Sequence, residues 1–427
     1  MTEIQNLYEY YLRYPQICID SRKVEAGVLF FALKGDRFDG HDFAGKALED
    51  GAAFAVVQDA QLAEGNDQML LVEDTLTALQ DLATFHRRKL AVPVLAITGS
   101  NGKTTTKELV AAVLQARYPV LATFGNFNNH IGVPLTLLKA RPEHEILIIE
   151  MGANHVGEIA ALCRIAEPSH GLITNIGKAH LEGFGGIEGV KKGKSELYQY
   201  LANSNGIAFV NQDEDFLEAL SDAVEKRVFY AGGTGKFAAT VVRESPFLEV
   251  SFDPDNRIQT HLIGIYNFPN ILTAIAIGQY FKVKDTQIVE AISNYIPNNN
   301  RSQLIQLADC LVILDAYNAN PTSMTRAIQA FAERPEKRKW AILGDMLELG
   351  IYSESEHKAL LKLAKAQGFE QLITVGPAFR NAALTAGIPH FMDVHALKIW
   401  WDAQDRTSVC ALLKASRGIR LEQLINS

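Results

Sequence analysis

Val94-Leu95-Ala96-Ile97-Thr98-Gly99-Ser100-Asn101-Gly102-Lys103-Thr104-Thr105-Thr106 is the stretch on which the reading of this chain turns. An apolar strand runs into a glycine-rich turn that ends in Gly-Lys-Thr, and a helix is expected over Lys107 to Gln115. That order describes a nucleotide triphosphate site. Glycines let backbone N–H groups converge on phosphate oxygens, and Lys103 can reach the β- and γ-phosphates. The Thr104 hydroxyl suits Mg²⁺, and the helix turns its positive end toward the anion. The loop is short, because strict phosphate-loop spacing wants glycine at position 97, where this chain has Ile97. The competing reading is a structural strand-to-helix turn with a solvent lysine.

Composition frames that site as part of a soluble enzyme. At ~150 residues per domain, 427 residues predict about three domains. Charged residues make up 21% and hydrophobic ones 48%, enough for buried cores and unlike a disordered chain. No apolar run approaches the ~18 residues of a membrane span. Met1-Thr2-Glu3-Ile4-Gln5-Asn6 lacks the basic and apolar regions of a signal peptide, so a cytoplasmic location is expected. Cys18, Cys163, Cys310 and Cys410 form no Cys-x-x-Cys pair and read as reduced, mostly buried thiols. A net charge of −8 without a basic tract argues against nucleic-acid binding.

Along the chain, the expected fold class is α/β in three parts. The first, residues 1–90, carries strand candidates Val28 to Leu33 and Phe54 to Val57 and a helix from Thr75 to Lys89. The second, 91–300, opens with the phosphate loop and alternates strand and helix, the mark of a parallel sheet covered on both faces. Around Gly232 to Asp255 the pattern shifts to short alternating strands, read as a small antiparallel sheet packed at one side. A helix over Asn270 to Phe281 and the linker-like Pro297-Asn298-Asn299-Asn300 follow. The third part, 301–427, alternates again but has Asp315-Ala316-Tyr317-Asn318-Ala319-Asn320-Pro321 where a dinucleotide fingerprint would stand.

Beyond the loop, Glu150 closes the strand Ile146 to Ile149, where Mg²⁺ needs a hard oxygen ligand. His180 sits among glycines just past another strand. In Gly125-Asn126-Phe127-Asn128-Asn129-His130, the asparagines either meet a polar ligand or bond their own backbone in a turn. Lys191, Lys192 and Lys194 read as a solvated helix face, with nothing physical to select one of them.

Together these segments resemble the ATP-dependent Mur ligases of bacterial cell-wall synthesis over nearly the whole chain. The carriers are Thr98 to Thr105, which looks like that family's shortened phosphate loop, then Glu150-Met151-Gly152, Ala179-His180-Leu181-Glu182 and Asn267-x-x-Asn270. Gly125 to Asn129, Asp315 to Met324 and Leu343-Gly344-Asp345-Met346-Leu347-Glu348-Leu349-Gly350 are most similar to the branch that adds D-alanyl-D-alanine to a UDP-N-acetylmuramoyl-tripeptide. The resemblance implies a central P-loop ATPase-like domain with a parallel sheet. A UDP-substrate α/β domain would precede it and a Rossmann-like domain would follow.

It also implies roles. Gly99, Ser100, Asn101, Gly102, Lys103, Thr104 and Thr105 would hold the ATP phosphates, Asn267 and Asn270 the adenine, and Arg301 and Asp315 further parts of the nucleotide. Two Mg²⁺ ions would take Thr104, Glu150, His180 and a CO₂-derived carbamate on Lys194. Ser21, Arg22, Asn126, Asn128, Asn129, Asn318, Asn320, Lys414 and Ser416 would meet the two substrates, with Arg417 near the reacting groups. The expected enzyme is a monomer that makes an acyl phosphate. In one departure, Tyr266 stands where family members usually carry histidine before the first adenine-site asparagine.

The rivals are a sister amide ligase, either the tripeptide-forming Mur enzyme or a folylpolyglutamate synthetase, and a nucleotide-dependent binding switch. Asn211-Gln212-Asp213-Glu214 is not the Asn-Lys-x-Asp guanine reader such a switch would want.

Overall fold

A computed structural model of the protein describes residues 1–35 and 38–425. Its strands form three sheets in succession along the chain. The first is a parallel sheet of β1 (Ile17–Cys18), β2 (Leu29–Phe31), β3 (Phe54–Val57) and β4 (Met69–Leu71). The helix Thr75–Leu90 then leads into the second sheet, packing on the way against helices of both regions.

The second sheet contains β5 (Val94–Thr98), β6 (Val120–Ala122), β7 (Ile146–Glu150), β8 (His170–Ile173), β9 (Ile207–Asn211), β10 (Lys226–Gly232), β11 (Ala238–Arg243), β12 (Glu249–Ser251) and β13 (Arg257–Gln259). Across the sheet they stand in the order β6-β7-β5-β8-β9-β10-β11-β12-β13. Residues of the central strands alternate between two cores, as a period of two requires. Leu95, Ile97, Ile146 and Ile148 pack with the helices Lys103–Gln115 and Phe268–Tyr280. Ala96, Leu147 and Ile149 pack with Glu158–Ala166 and Ile187–Asn203 on the other side. Both faces being covered explains why these strands read as unbroken apolar runs. Strand order changes direction at β5, with β7 on one side and β8 on the other, and this switch point opens a crevice beyond the strand ends. Gly99 to Gly102 occupy it.

The short strands after Gly232 differ from the expectation. They form no separate sheet: β10 and β11 continue the parallel order, and β12 and β13 extend it antiparallel. Their alternating pattern reports one solvated face and is silent about which neighbour they join.

The third sheet orders β14 (Gln303–Gln306), β15 (Cys310–Asp315), β16 (Arg338–Gly344), β17 (Gln371–Val375), β18 (His390–Phe391) and β19 (Val409–Lys414) as β14-β15-β19-β16-β17-β18. It is parallel except for the edge strand β14. The carboxyl end of β15 carries Asp315, which faces back toward the second sheet's crevice.

One half-buried group is expected to make this core acid-sensitive. His170 opens β8 against Phe209, Tyr280 and Phe281, and burial holds its imidazole down to about 4. Between that value and the ordinary 6.5 the unfolded chain binds the extra proton, so stability falls as pH drops through this window. Urea unfolding at pH 7 and pH 4.5 should show the native protein losing about 2 kcal/mol more than His170→Gln, after discounting for partial exposure. Equal losses would mean that folding leaves the His170 proton affinity unchanged.

Candidate active site

The phosphate loop is held in shape from outside itself. Gly99 has φ +142° and Gly102 φ +78°, and a Cβ at either would run into Thr174 Oγ1 or Asn270 Oδ1 respectively. Glycine is therefore required at both positions by conformation and by space. Ile97, standing where strict spacing wants glycine, lies fully buried within β5. The helix begins at Lys103, a full turn before the expected Lys107, because Gly102 caps it and its carbonyl accepts from Thr106 N at 2.8 Å. Three consecutive threonines lower intrinsic helix propensity, which hid that first turn.

Thr174 and Asn175, passed over in the sequence, brace the loop. Thr174 Oγ1 donates to Asn101 O at 2.6 Å, and Asn175 Nδ2 donates to the same carbonyl at 3.0 Å. Asn175 Oδ1 accepts from Asn101 N at 3.1 Å. Ser100 Oγ donates to Gly177 O at 3.1 Å. The available signal was a polar pair just beyond an apolar strand beside the loop strand.

Below the loop lies a cavity of about 610 Å³ between the second and third sheets. From the nominated residues it gathers Ser100 to Thr105, Asn128, Asn129, Glu150, His180, Asn267, Asn270, Arg301, Asp315, Asn318, Asn320 and Lys414. Lys103 Nζ donates to Gly99 O at 2.7 Å, folded back on its own loop. Some of its side chain meets the cavity, yet protein encloses the amine. Burial pulls its proton affinity down to about 8, with Glu150 opposing and Arg301 reinforcing the shift.

Glu150 is 1% exposed. Its Oε1 accepts from Asn128 Nδ2 at 2.7 Å, while Oε2 is buried with no partner. An orphaned carboxylate oxygen at that depth calls for a cation. The two readings of the asparagine loop thus divide between residues. Asn128 reaches Glu150, whereas Asn129 Oδ1 accepts from Ile131 N and Gly132 N in a local turn at the cavity's edge, and Asn126 is exposed outside the cavity lining.

Lys194 corrects the expectation of a solvated face. It is 1% exposed within the helix Ile187–Asn203, its Nζ 3.3 Å from Ala153 O and 5.3 Å from the Phe184 ring centre. Burial first, and the nearby Lys103 charge second, hold its amine well below the usual lysine range. It stands behind the cavity lining.

Asn267 and Asn270 form a relay to the loop helix. Asn267 Oδ1 accepts from Asn270 Nδ2 at 2.9 Å, and Asn270 Oδ1 accepts from Thr106 Oγ1 at 3.0 Å. On the third-sheet side, Lys414 Nζ donates to Asp315 Oδ2 at 2.5 Å between registered neighbours on β15 and β19. Arg301 stacks 3.9 Å from the centre of the Tyr317 ring, its Nε buried without a partner. Arg417 lies 5.3 Å from the same ring, outside the cavity lining. Ser416 also stays behind the lining, where its Oγ accepts from Leu347 N at 3.0 Å. Ser21 and Arg22 lie on the first region away from the cavity, Arg22 paired at 2.8 Å with Asp20.

Contacts across the crevice join the second and third regions directly. Asn320 caps the helix Pro321–Ala332 by accepting from Ser323 N at 2.9 Å, and its Nδ2 donates to Asn101 Oδ1 at 2.7 Å. Lys178 Nζ pairs with Glu356 at 2.6 Å. A phosphate loop that touches the opposing domain through a side chain can transmit the state of one to the other.

The fold and this two-sided nucleotide cavity define a class, and the chain belongs to the Mur ligase family. Residues 13–87 match the model of the Mur ligase family catalytic domain, 97–278 the Mur ligase middle domain, and 300–414 the Mur ligase glutamate ligase domain. The UDP-N-acetylmuramoyl-tripeptide--D-alanyl-D-alanine ligase of Escherichia coli (strain K12) is 36% identical, covering 96% of this chain and 93% of its own. The enzyme of that name from Bacillus subtilis (strain 168) is 35% identical over 96% and 92%. MurF from Acinetobacter baumannii superposes with a TM-score of 0.85 at 33% identity, covering 96% of this chain and 92% of that one. The MurF ligase of Thermotoga maritima in complex with ADP gives 0.83 at 27% identity, over 100% and 97%.

If Thr174 sets the loop's shape, Gly99→Ala should weaken ADP binding by at least about tenfold, equivalent to about 1.4 kcal/mol. Calorimetric titration of a variant that retains native circular dichroism is the check. Native affinity would show that the loop tolerates displacement.

Proposed function

We infer that this chain is an ATP-dependent amide ligase that joins D-alanyl-D-alanine to UDP-N-acetylmuramoyl-tripeptide in peptidoglycan precursor synthesis. The observation that carries the reading is the phosphate loop facing Asp315 to Asn320 across one cavity, in a chain aligned almost end to end with ligases of that name. A carboxylate is inert toward an amine because its leaving group would be oxide. In the proposed sequence, the tripeptide's terminal carboxylate oxygen attacks the γ-phosphorus of ATP, and the bond to the β-bridging oxygen breaks to release ADP. The dipeptide amine then attacks the acyl carbon, inorganic phosphate leaves, and the nitrogen loses its proton as the amide forms.

The protein's part is electrostatic and positional. Lys103, the loop N–H groups and the unpartnered Arg301 offset charge on the moving phosphoryl group. No side-chain nucleophile is needed, and burial raises the Cys163, Cys310 and Cys410 thiols out of reactive range.

The residues present fit Mg²⁺. Among the described residues no group of three His, Cys, Asp or Glu side chains could hold a metal alone. Mg²⁺ commonly relies on one or two carboxylates plus substrate phosphates. Glu150 Oε2, the Thr104 hydroxyl, His180 and a Lys194 carbamate are the proposed protein donors. Bound there, Mg²⁺ would neutralise charge on the phosphates. Burial favours the neutral Lys194 amine, the form that can attack CO₂: an N–C bond forms, one proton leaves and a carboxylate-like anion results. Ser21 and Arg22 are assigned to the UDP end of the acceptor. Asn126, Asn128 and Asn129 are assigned to its peptide arm, and Asn318, Asn320, Lys414, Ser416 and Arg417 to the reacting end. The proposal places the protein as a monomer in the cytoplasm, beside its ATP and UDP-linked substrates; no helix among the described residues is long and apolar enough to cross a membrane.

Phosphate release with ATP and Mg²⁺ should require both the UDP-tripeptide and D-alanyl-D-alanine, with the pentapeptide product seen by mass. Release with glutamate or another amino acid instead would move the chain to a sister ligase. Lys103→Ala should abolish turnover in a folded protein. Lys194→Ala should lose most activity and regain part of it with a millimolar short carboxylate; full activity without rescue would remove Lys194 from the site.

A further inference from the structure

We propose that Glu348, carried by the third region, is the outer carboxylate of His180, so that the metal position of the second region is completed only when the third region docks. The inference rests on the reading of His180 as a Mg²⁺ donor. His180 lines the cavity, and its Nδ1 is buried with no properly oriented hydrogen-bond partner. Glu348 Oε2 lies 2.5 Å from that nitrogen. The Glu348 carboxylate is half-exposed, and the approach is close without meeting the angles of an aligned hydrogen bond. With Nδ1 turned to a carboxylate, Nε2 is the nitrogen left for a cation. A carboxylate on the other nitrogen fixes the tautomer and makes the imidazole a stronger donor.

The placement of both residues is built in. His180 (φ +52°) and Glu348 (φ +61°) each adopt the left-handed conformation that side chains other than glycine seldom take. Glu348 O accepts from Glu182 N at 3.3 Å, fastening the two backbones beside the contact. Behind Glu348, the turn is pinned at three points. Asp345 accepts from Ala378 N at 2.8 Å and Phe379 N at 3.0 Å. The fully buried His357 Nε2 accepts from Met346 N at 3.0 Å, and Ser416 Oγ accepts from Leu347 N. A free surface acid needs no such scaffold. Because His180 and Glu348 belong to different sheets, separating the regions withdraws the carboxylate, which couples docking to cation affinity.

Lys178 and Glu356 supply the internal control, since they pair across the same interface without touching His180. The experiment titrates Mn²⁺ into the full chain with a non-hydrolysable ATP analogue and reads free Mn²⁺ by electron paramagnetic resonance. Glu348→Ala should weaken Mn²⁺ binding about tenfold, in the range typical of lost outer carboxylates. Glu348→Gln, whose amide oxygen still accepts from Nδ1, should recover most of it, and Glu356→Ala should match the native chain. Native affinity in Glu348→Ala, alongside weakened binding in His180→Ala, would overturn the inference and leave the metal reading standing. Equal losses in Glu356→Ala and Glu348→Ala would reduce Glu348 to a docking contact. Native affinity in His180→Ala would remove the metal reading itself.

Discussion

The site is organised around positive charge taken out of water with too little negative charge to balance it. Protein encloses the amines of Lys103 and Lys194 and buries Arg301 Nε, and Glu150 is the carboxylate that opposes Lys103 from within the pocket. Charges buried in this way are costly unless something pairs with them. The chain leaves the deficit open on the cavity side: Arg301 Nε and Glu150 Oε2 lack partners there, and Lys103 settles on a loop carbonyl. A triphosphate with its cations supplies both missing signs at once. Before the ligand arrives, burial lowers the proton affinity of both lysines, with neighbouring positive charge adding to it, and this favours Lys194 as a neutral amine.

Rigidity on one side and mobility on the other follow from where the hydrogen bonds go. The loop is fastened to β8 through Thr174 and Asn175 and, through Asn270, to a helix buried along most of its length. Ser100 Oγ ties the loop to Gly177, and Asn101 reaches Asn320, which belongs to the third region. The polar contacts that would have to break for the third region to move include Asn101 to Asn320 on the loop, His180 to Glu348, and Lys178 to Glu356. Closing over the cavity would keep water from an acyl phosphate, and the same motion completes the cation's surroundings.

Much of this was legible in the chain. Apolar runs at β5, β7, β8 and β9 with helices between them can only be a covered parallel sheet, and the loop between β5 and its helix announced an anion. Clustering was legible for residues at strand ends, such as Glu150 and Asp315, since topology sends those ends to one crevice. Long-range accommodation was not. Lys194 and the exposed Lys192 are neighbours in one helix of uniform appearance, and only the packing of Phe184 and Ala153 over one of them decides which is buried. Asn128 and Asn129 share a composition and a loop, yet one reaches Glu150 and the other closes a turn. Such outcomes depend on the partner across the fold, which local pattern does not encode.

Tyr266 shows how a local departure is absorbed. A tyrosine in place of the family's usual histidine brings a longer side chain with a hydroxyl to a buried position. That hydroxyl bonds Ser302 Oγ at 2.9 Å, and Ser302 N in turn donates to Asp315 Oδ1 at 3.3 Å. Asn300 and Ser302, on either side of Arg301, are held in the left-handed conformation, so the segment joining the two regions is shaped to aim Arg301 into the cavity. Tyr266 therefore ties the segment carrying Asn267 and Asn270 to the connecting segment and, through it, to the first strand-end acid of the third sheet. A change at Tyr266 reaches Asp315 through two hydrogen bonds, and Asp315 already holds Lys414. The tyrosine thus bridges the second and third regions while Asn267 and Asn270 keep their relay to the loop.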